Sequence, residues 1–253
     1  MTGAGRRQDL PPLSPNGWLR WAVVSRLLPP DATDVLEVGC GQGGFGARLA
    51  LRYRYVGVEP DAVSAQVARS RLTLLGSGHD SEVRHGDLSV LGPQERFDLV
   101  CAFEVIEHIE DDETALHDWA DRLRPGGWLL LSTPAHQARF GAADEMVGHF
   151  RRYEPAALAA QLVSAGLVQP QVTHFGMPLG YALEAGRNAV GRRRLTRLAD
   201  TTMTTRSHGS GRLLQPSRPG AATLAQLGTL PFRVVQRAFP HRGPGLVARA
   251  RKP

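Results

Sequence analysis

The sequence predicts an α/β protein with a Rossmann-like, mostly parallel seven-stranded sheet, helices on both faces, and an insertion before the last strand. Apolar segments with strand character alternate with segments of helical periodicity, a pattern typical of right-handed crossover connections. The first predicted strand, Asp34–Val38, runs into Gly39-Cys40-Gly41-Gln42-Gly43-Gly44. A strand, a glycine turn and a helix start in this order allow a ligand to approach the backbone closely.

Residues 1–30 are expected to form a lead-in and one helix outside the core. Residues 1–13 have the composition of a disordered segment, and apolar residues recur at helical spacing from Ser14 to Leu28. The proline pair Pro29-Pro30 ends that helix. The first nine residues lack an apolar core, and no run approaches the roughly 18 apolar residues of a membrane span, so neither a secretory signal nor a transmembrane helix is expected.

Residues 31–176 are predicted to form the ligand-binding core. A helix should follow the glycine turn to about Arg52, and further strands are predicted at residues 55–59, 83–85, 97–102, 128–132 and 168–174. Helices are predicted at residues 62–75 and 155–165, and an acidic segment, 104–113, should lead into a helix through Trp119. These segments supply the alternation on which the fold class depends.

Residues 177–243 are predicted to be an irregular, basic substrate-cover insertion, and residues 244–253 a final strand antiparallel to its neighbour. Residues 187–253 hold 14 of the 30 basic residues and one acid, a charge of +13. The first 186 residues hold the other 16 basic residues and 23 acids, a charge of −7, and the two parts give the net +6. The basic character therefore belongs to the C-terminal part.

Three interpretations of this basic segment remain open. Arg187, Arg197 and the run Arg192-Arg193-Arg194 could contact nucleic-acid phosphates, but the segment has two aromatic residues for base stacking, so nucleic acid is disfavoured. Residues 224–239 interleave apolar and basic side chains and could make peripheral contact with an anionic membrane. The favoured interpretation is a solvated cap whose apolar residues cover the mouth of the active site.

The two cysteines, Cys40 and Cys101, fall in predicted buried strand ends and show no disulfide spacing. A reducing, cytoplasmic location is therefore expected, with membrane-surface association as the variant. The composition gives no indication of the oligomeric state.

Acidic residues at successive strand ends discriminate between two cofactors. The spacing Gly39-x-Gly41-x-x-Gly44 fits a dinucleotide fingerprint as well as S-adenosylmethionine. However, Glu37 precedes the turn, Glu59 ends the second strand, where it can accept from ribose hydroxyls, and Asp87 follows the third, where it can accept from an adenine amine. Three acids suit a cationic ligand without a pyrophosphate, and they suit NAD poorly.

Five ordered segments carry a family resemblance: Val35–Gly43, Val58-Glu59-Pro60, Gly86-Asp87, Phe97–Val100 and Leu123–Gly127. From about Thr33 to Ala165 the chain resembles the class I S-adenosylmethionine-dependent methyltransferases. The segment Phe103-Glu104-Val105-Ile106-Glu107-His108-Ile109 is similar to the ubiquinone-biosynthesis O-methyltransferase type, and Glu-x-x-Glu-His also occurs in small-RNA 3′-end methyltransferases. The resemblance, with the acids above, implies these cofactor-binding residues: Glu37, Gly39, Cys40, Gly41, Gly43, Glu59, Asp87, Leu88, Phe103 and Glu104.

Two segments are candidates for the chemistry of methyl transfer. Glu104, Glu107 and His108 have the i, i+3, i+4 spacing that would place them on one face of a helical turn, where they could bind a divalent cation such as magnesium. The alternative is a helix start whose acids face the positive end of the helix dipole. His149 lies on the rim after the fifth strand and is the candidate general base or a fourth metal ligand.

The expected function is S-adenosylmethionine-dependent methylation of a small-molecule acceptor, with a hydroxyl or phenol oxygen as the favoured target. The alternatives are a methyltransferase acting on RNA or protein and a non-catalytic subunit that binds an adenosine ligand. Spacing alone does not identify the acceptor.

Overall fold

The computed structural model describes residues 10–76, 79–195 and 219–253. Within them the chain forms a seven-stranded sheet in the order β3-β2-β1-β4-β5-β7-β6. The strands are β1 Asp34–Val38, β2 Arg54–Glu59, β3 Ser81–His85, β4 Phe97–Phe103, β5 Leu123–Pro134, β6 Val168–Phe175 and β7 Gly245–Arg251. Strands β1 to β5 pair in parallel, and β7 runs antiparallel to both β5 and β6. The predicted fold class and the antiparallel last strand are confirmed.

Helices cover both faces of the sheet. They are α1 Pro15–Leu27, α2 Gly46–Leu49, α3 Ala62–Leu75, α4 Asp112–Asp121, α5 Ala142–Val147, α6 Pro155–Ser164, α7 Leu179–Leu195, α8 Pro219–Gly228 and α9 Leu230–Val235. Alternate strand residues divide between two buried cores: Val35 and Leu99 pack with α1 to α3, whereas Leu36 and Val100 pack with α4 and α6. This period of two is what a sheet buried on both faces requires.

The prediction of an irregular insertion at residues 177–243 is wrong for the described part of that segment, which contains α7, α8 and α9. Helix α7 buries Gly180, Glu184 and Gly191 rather than an apolar stripe. Its close packing needs small residues, because a Cβ at Gly191 would lie 2.7 Å from the Ala142 carbonyl oxygen. A helix that buries small and polar residues lacks the periodicity on which the sequence prediction relied.

Several boundaries also differ from those predicted. Helix α2 has four residues instead of running to Arg52, and β5 begins at Leu123 instead of Trp128. Helix α5 was not predicted. Of the disordered lead-in expected at residues 1–13, residues 1–9 lie outside the described part of the chain, as does position 197, whereas Leu13 is buried in the core, so the expectation is wrong there. No helix in the described ranges combines the length and the apolar character needed to cross a bilayer.

Candidate active site

The glycine turn after β1 is held against β2 by backbone hydrogen bonds. The amides of Gly39 and Cys40 both donate to the Val58 carbonyl, at 2.9 and 3.1 Å. Gly39, Gly41 and Gly43 have φ values of 65°, 54° and 74°, which side chains rarely tolerate. The turn therefore has a fixed, bare backbone at the carboxyl end of the sheet.

The glycines of this turn have different surroundings. A Cβ at Gly41 would meet nothing within 4 Å, whereas one at Gly43 would lie 3.2 Å from the Ala68 Cα in α3. Gly41 and Gly44 line the large cavity described below, and Gly43 is not among its described lining residues. The structure thus assigns Gly43 to packing of the turn on α3 and does not place it at the ligand.

A cavity of about 820 Å³ runs along the carboxyl ends of the strands. Its walls include most of the predicted cofactor residues: Glu37, Gly39, Cys40, Gly41, Glu59, Asp87, Leu88, Phe103 and Glu104. Beyond β4 the wall continues with residues of α5, the loop after it, and α7: Asp144, Met146, Val147, His149, Arg152 and Arg187. The volume lies within the range of small-molecule sites.

Two acids at one side of the cavity are held as hydrogen-bond acceptors. Glu59 accepts from the amide of Gly41 at 2.7 Å and from that of Asp61 at 2.9 Å. Asp87 accepts from the Ser89 amide at 2.9 Å, and hydrogen bonding to Ser89 lowers the pKa of its carboxyl. Ionised oxygens at the ends of β2 and β3 are suited to hydroxyl and amine donors.

Glu37 lines the cavity and is almost fully buried in its wall. Its Oε2 accepts from the Tyr55 hydroxyl at 2.6 Å, and burial raises the pKa of the carboxyl to about 8. Burial also raises the pKa of the neighbouring Cys40 thiol well above its ordinary value, so the thiol is not a nucleophile. The hydrogen bond from Tyr55 therefore fixes the Glu37 side chain within the wall.

Glu104 closes β4 and pairs with a residue that the sequence did not single out. It has a φ of 57° and accepts from Arg20 Nη1 at 2.8 Å, while the Ser132 hydroxyl lies 3.1 Å away. The guanidinium of Arg20 lies 5.1 Å from the centre of the Phe45 ring. Burial lowers the pKa of Arg20 to about 10. The available signal was an arginine in the middle of the mostly apolar helix α1, whose other arginine, Arg26, lies in the last turn.

Glu107, His108 and His149 form a compact group, and their ligand atoms lie within 4.8 Å of one another. Glu104 is not part of it. The predicted helical face is wrong: Ile106–His108 form a 3₁₀ turn, and the left-handed backbone at Glu104 directs that residue to Arg20. The buried Glu107 Oε1 has no hydrogen-bond partner among the described residues and lies 3.8 Å from His149 Nε2.

Asp144 orients His149. The two side chains meet through His149 Nδ1 at 2.8 Å, and we assign the proton of neutral His149 to Nδ1 because a carboxylate accepts it. Burial lowers the pKa of His149. Although burial opposes it, hydrogen bonding to His149 and Arg152 lowers the pKa of Asp144 to about 2. Nε2 of His149 is thus the basic nitrogen, on the side facing Glu107.

Asp144 is a site residue that the sequence analysis missed. It lies in the short helix α5, and its Oδ2 also accepts from the Gly141 amide at 2.9 Å. Arg152 donates from Nη2 to Asp144 at 2.7 Å and from Nη1 to Glu184 at 2.8 Å, which connects α5 to α7. Acidic residues are common in the first turn of a helix, so an aspartate at this position did not stand out in the sequence.

Three other side chains in the segments after β5 contact acidic residues. The Tyr153 hydroxyl donates to Asp112 at 2.6 Å, and Arg151 forms an ion pair with the same carboxylate at 2.6 Å. His136 pairs with Glu154 at 2.9 Å and does not belong to the described wall of the cavity. These contacts favour a loop held by its own arginine and tyrosine.

Comparisons with known proteins agree with this geometry. Residues 14–170 match the family model described as a methyltransferase domain. A probable S-adenosylmethionine-dependent methyltransferase of Mycolicibacterium smegmatis is 34% identical over 138 residues, 53% of this chain and 51% of that protein. A ubiquinone biosynthesis O-methyltransferase of Xanthomonas axonopodis pv. citri is 32% identical over 181 residues, 64% of this chain and 73% of that protein. The chain thus spans about half the length of the first relative.

Solved structures share the fold at low sequence identity. Phosphoethanolamine N-methyltransferase 2 of Haemonchus contortus, in complex with S-adenosyl-L-methionine, has a TM-score of 0.59 at 18% identity, covering 95% of this chain and 54% of that one. The cyclase SpnF has a TM-score of 0.59 at 18% identity, covering 94% and 82%. At this identity they bear on the fold alone. The family match covers more than half of the chain, including β1 to β5 and the turn and acids above, and the chain belongs to the class I S-adenosylmethionine-dependent methyltransferases.

Proposed function

We propose that this chain transfers the methyl group of S-adenosylmethionine to an oxygen of a small-molecule acceptor. The observation that carries the proposal is the Asp144–His149 pair in the cavity wall beside the Glu104 end of β4. Sequence relatives named for O-methylation support the same choice, although the acceptor of this chain is not established by them.

The residues of the cavity fit S-adenosylmethionine. When bound, the cofactor supplies an electrophilic methyl group on a sulfonium. Glu59 would accept from the ribose hydroxyls and Asp87 from the adenine amine, with Leu88 beside the ring. The bare backbone at Gly41, where a Cβ would meet nothing within 4 Å, leaves room for the ligand, and Phe103 and Glu104 would lie near the methionine part.

A hydroxyl acceptor needs a proton acceptor, whereas a neutral amine attacks with its own lone pair. His149 is neutral at neutral pH because burial lowers its pKa, and Asp144 holds its Nδ1. Nε2 can therefore accept the hydroxyl proton, and Asp144 would stabilise the imidazolium that forms. This arrangement favours oxygen as the methylated atom.

As an alternative role for His149 Nε2, which cannot accept a proton while it coordinates a cation, we also propose that Glu107, His108 and His149 bind a divalent cation. The donor set fits, since the buried Glu107 Oε1 has no partner and burial lowers the pKa of His108 to about 3, which keeps its imidazole neutral. Two imidazoles favour iron or zinc over magnesium, and the carboxylate of Glu107 also suits manganese. When bound, a divalent cation stabilises an oxyanion and so lowers the pKa of an acceptor hydroxyl. Glu104 could join the set only by leaving Arg20.

We further propose peripheral membrane contact through residues 224–239 of a cytoplasmic enzyme. Leu224, Leu227 and Val234 are 73%, 57% and 62% exposed, so these side chains do not cover the mouth of the active site as a buried cap would. Arg233 packs on Trp18 of α1, which fixes α9 to the body of the protein. An apolar ridge next to basic residues suits an anionic bilayer surface.

The methyl-transfer proposal is tested by cofactor binding and turnover. Calorimetry should show that S-adenosylmethionine binds and NAD does not. With a panel of catechols and phenols, we expect His149→Asn to lower kcat at least about 100-fold with little change in cofactor affinity. The control is His136→Asn, which alters an imidazole outside the described cavity wall. Preferential binding of NAD would contradict the proposal. Binding of S-adenosylmethionine without turnover of any acceptor class would favour a non-catalytic binding subunit.

A further inference from the structure

The arginines of the cavity wall differ in their partners. Arg20 is neutralised by Glu104 at 2.8 Å, and Arg152 by Asp144 and Glu184 at 2.7 and 2.8 Å. Arg187 forms no ion pair with any described residue, and its buried Nε has no hydrogen-bond partner. Among the described wall arginines, Arg187 therefore brings an uncompensated positive charge into the cavity.

The nearest carboxylates are already engaged. Glu184, one turn earlier on α7, accepts from Arg139 at 2.9 Å and from Arg152 at 2.8 Å. Asp144 is shared by His149 and Arg152. A partly buried guanidinium without a counter-ion is costly, and burial lowers the pKa of Arg187 accordingly. An anion in the cavity would remove this cost.

Packing of α7 on α5 fixes the position of Arg187. The Asn188 side chain accepts from the Ala143 amide at 2.9 Å, and Gly191 lies against Ala142. Arg187 is thus held beside the loop that carries His149, on the side of the cavity away from Glu59 and Asp87. A ligand group that contacts Arg187 would belong to the acceptor.

We propose that Arg187 binds an anionic group of the acceptor, a carboxylate or a phosphate, and so selects acidic substrates. A planar guanidinium binds either group through two parallel hydrogen bonds. The proposal rests on the methyl-transfer function above and adds the substrate class. It gives a role to a residue of the basic segment that lies inside the site.

Binding of simple anions to the protein saturated with S-adenosylhomocysteine tests this proposal. The calorimetric probes are benzoate and phenyl phosphate, with neutral benzyl alcohol for comparison. We expect at least one anion to bind to the wild type. We expect Arg187→Met to weaken the affinity for that anion about 10- to 100-fold, because charge-assisted hydrogen bonds are lost. Arg192→Ala, on the exposed part of α7, is the control and should bind as the wild type does.

A second variant and a second readout separate the possible failures. Arg187→Lys should retain part of the affinity, and Arg187→Met should unfold at the same or a higher temperature without anion, because it removes an unpaired charge. Equal anion affinity of the wild type and Arg187→Met, including no binding by either, would overturn the proposal. Failure of the wild type to bind S-adenosylhomocysteine would instead contradict the methyl-transfer function itself. Comparing the affinities for benzoate and phenyl phosphate shows which anion is preferred.

Discussion

Glu37 titrates at a higher pH in the folded protein than in the unfolded chain. Its pKa rises from an ordinary 4.5 to about 8 because the carboxyl is buried. The folded state therefore holds an additional proton between these pH values. The stability associated with that proton is complete below pH 4.5 and is lost as the pH rises through 8.

Glu37→Gln should flatten this dependence, because its side chain stays neutral. We expect its free energy of unfolding to decline less than that of the wild type between pH 4.5 and 8, by up to about 1 kcal/mol per pH unit. Urea unfolding without cofactor at several pH values measures the difference. Glu113→Gln, at an exposed position, should follow the wild type. Parallel curves for the wild type and Glu37→Gln would refute the buried protonated state.

The cation proposal depends on Glu107. We expect Mn²⁺ to bind to the wild type and Glu107→Gln to weaken it roughly tenfold or more, because a charged ligand is lost. Affinity should rise as the pH approaches 8, since the Glu107 carboxyl, with a pKa of about 8, must release its proton. Calorimetry with Mn²⁺ checks both points, with exposed Glu110→Gln as the control. Indistinguishable affinities in wild type and Glu107→Gln would rule this ligand set out.

Residues at strand ends could be predicted from the sequence, and residues fixed by distant contacts could not. Glu59 and Asp87 line the cavity because parallel strands bring their carboxyl ends together. Arg20 meets Glu104 from a helix far away in sequence, and Asp144 meets His149 only through the fold of α5 and its loop. Arg20 and Glu104 are 84 residues apart, and the five-residue spacing of Asp144 and His149 is not a helical one, so no periodic pattern marks either pair.

At the scale of elements, the glycine turn contains positions with separable roles. In Gly43→Ala the new Cβ would lie 3.2 Å from the Ala68 Cα at a φ of 74°, so we expect about 2 kcal/mol lower stability. In Gly41→Ala the methyl would enter open space, so the main loss should be cofactor affinity, with backbone strain of about 1 kcal/mol. Denaturant unfolding and S-adenosylhomocysteine titration of both variants check this. If Gly43→Ala lost mainly cofactor affinity and Gly41→Ala mainly stability, Gly43 would be the glycine that faces the ligand.

Helices α8 and α9 carry the membrane prediction. The double variant Leu224→Ser, Leu227→Ser should bind vesicles containing phosphatidylglycerol at least about tenfold more weakly than the wild type, because two exposed apolar side chains are lost. Vesicle sedimentation measures this, and added salt should weaken wild-type binding. Leu74→Ser, at an 81% exposed leucine of α3, is the control. The membrane proposal would be contradicted if the wild-type protein stayed in the supernatant. It would also be contradicted if the double variant bound the vesicles as tightly as the wild type.

At the scale of the whole molecule, the alternation of strands and helices predicted the sheet and its antiparallel last strand, because burial on both faces leaves continuous apolar runs. The wall formed by α5 and α7 could not be predicted in the same way. Its helices are short or bury glycine and glutamate, so neither carries the apolar periodicity that predicts a helix. The sequence therefore predicts the cofactor side of the site better than the acceptor side.

The central claim is methyl transfer from S-adenosylmethionine to an acceptor oxygen with His149 as the base. Incubation with methyl-deuterated cofactor and a mixed panel of carboxylated phenols, neutral phenols and amines, followed by mass spectrometry of the products, tests it most directly. We predict deuterated O-methyl products in the wild type, with a preference for carboxylated phenols, and at least about 100-fold less product from His149→Asn. Methylated amines as the main products, or undiminished O-methylation by His149→Asn, would contradict the claim.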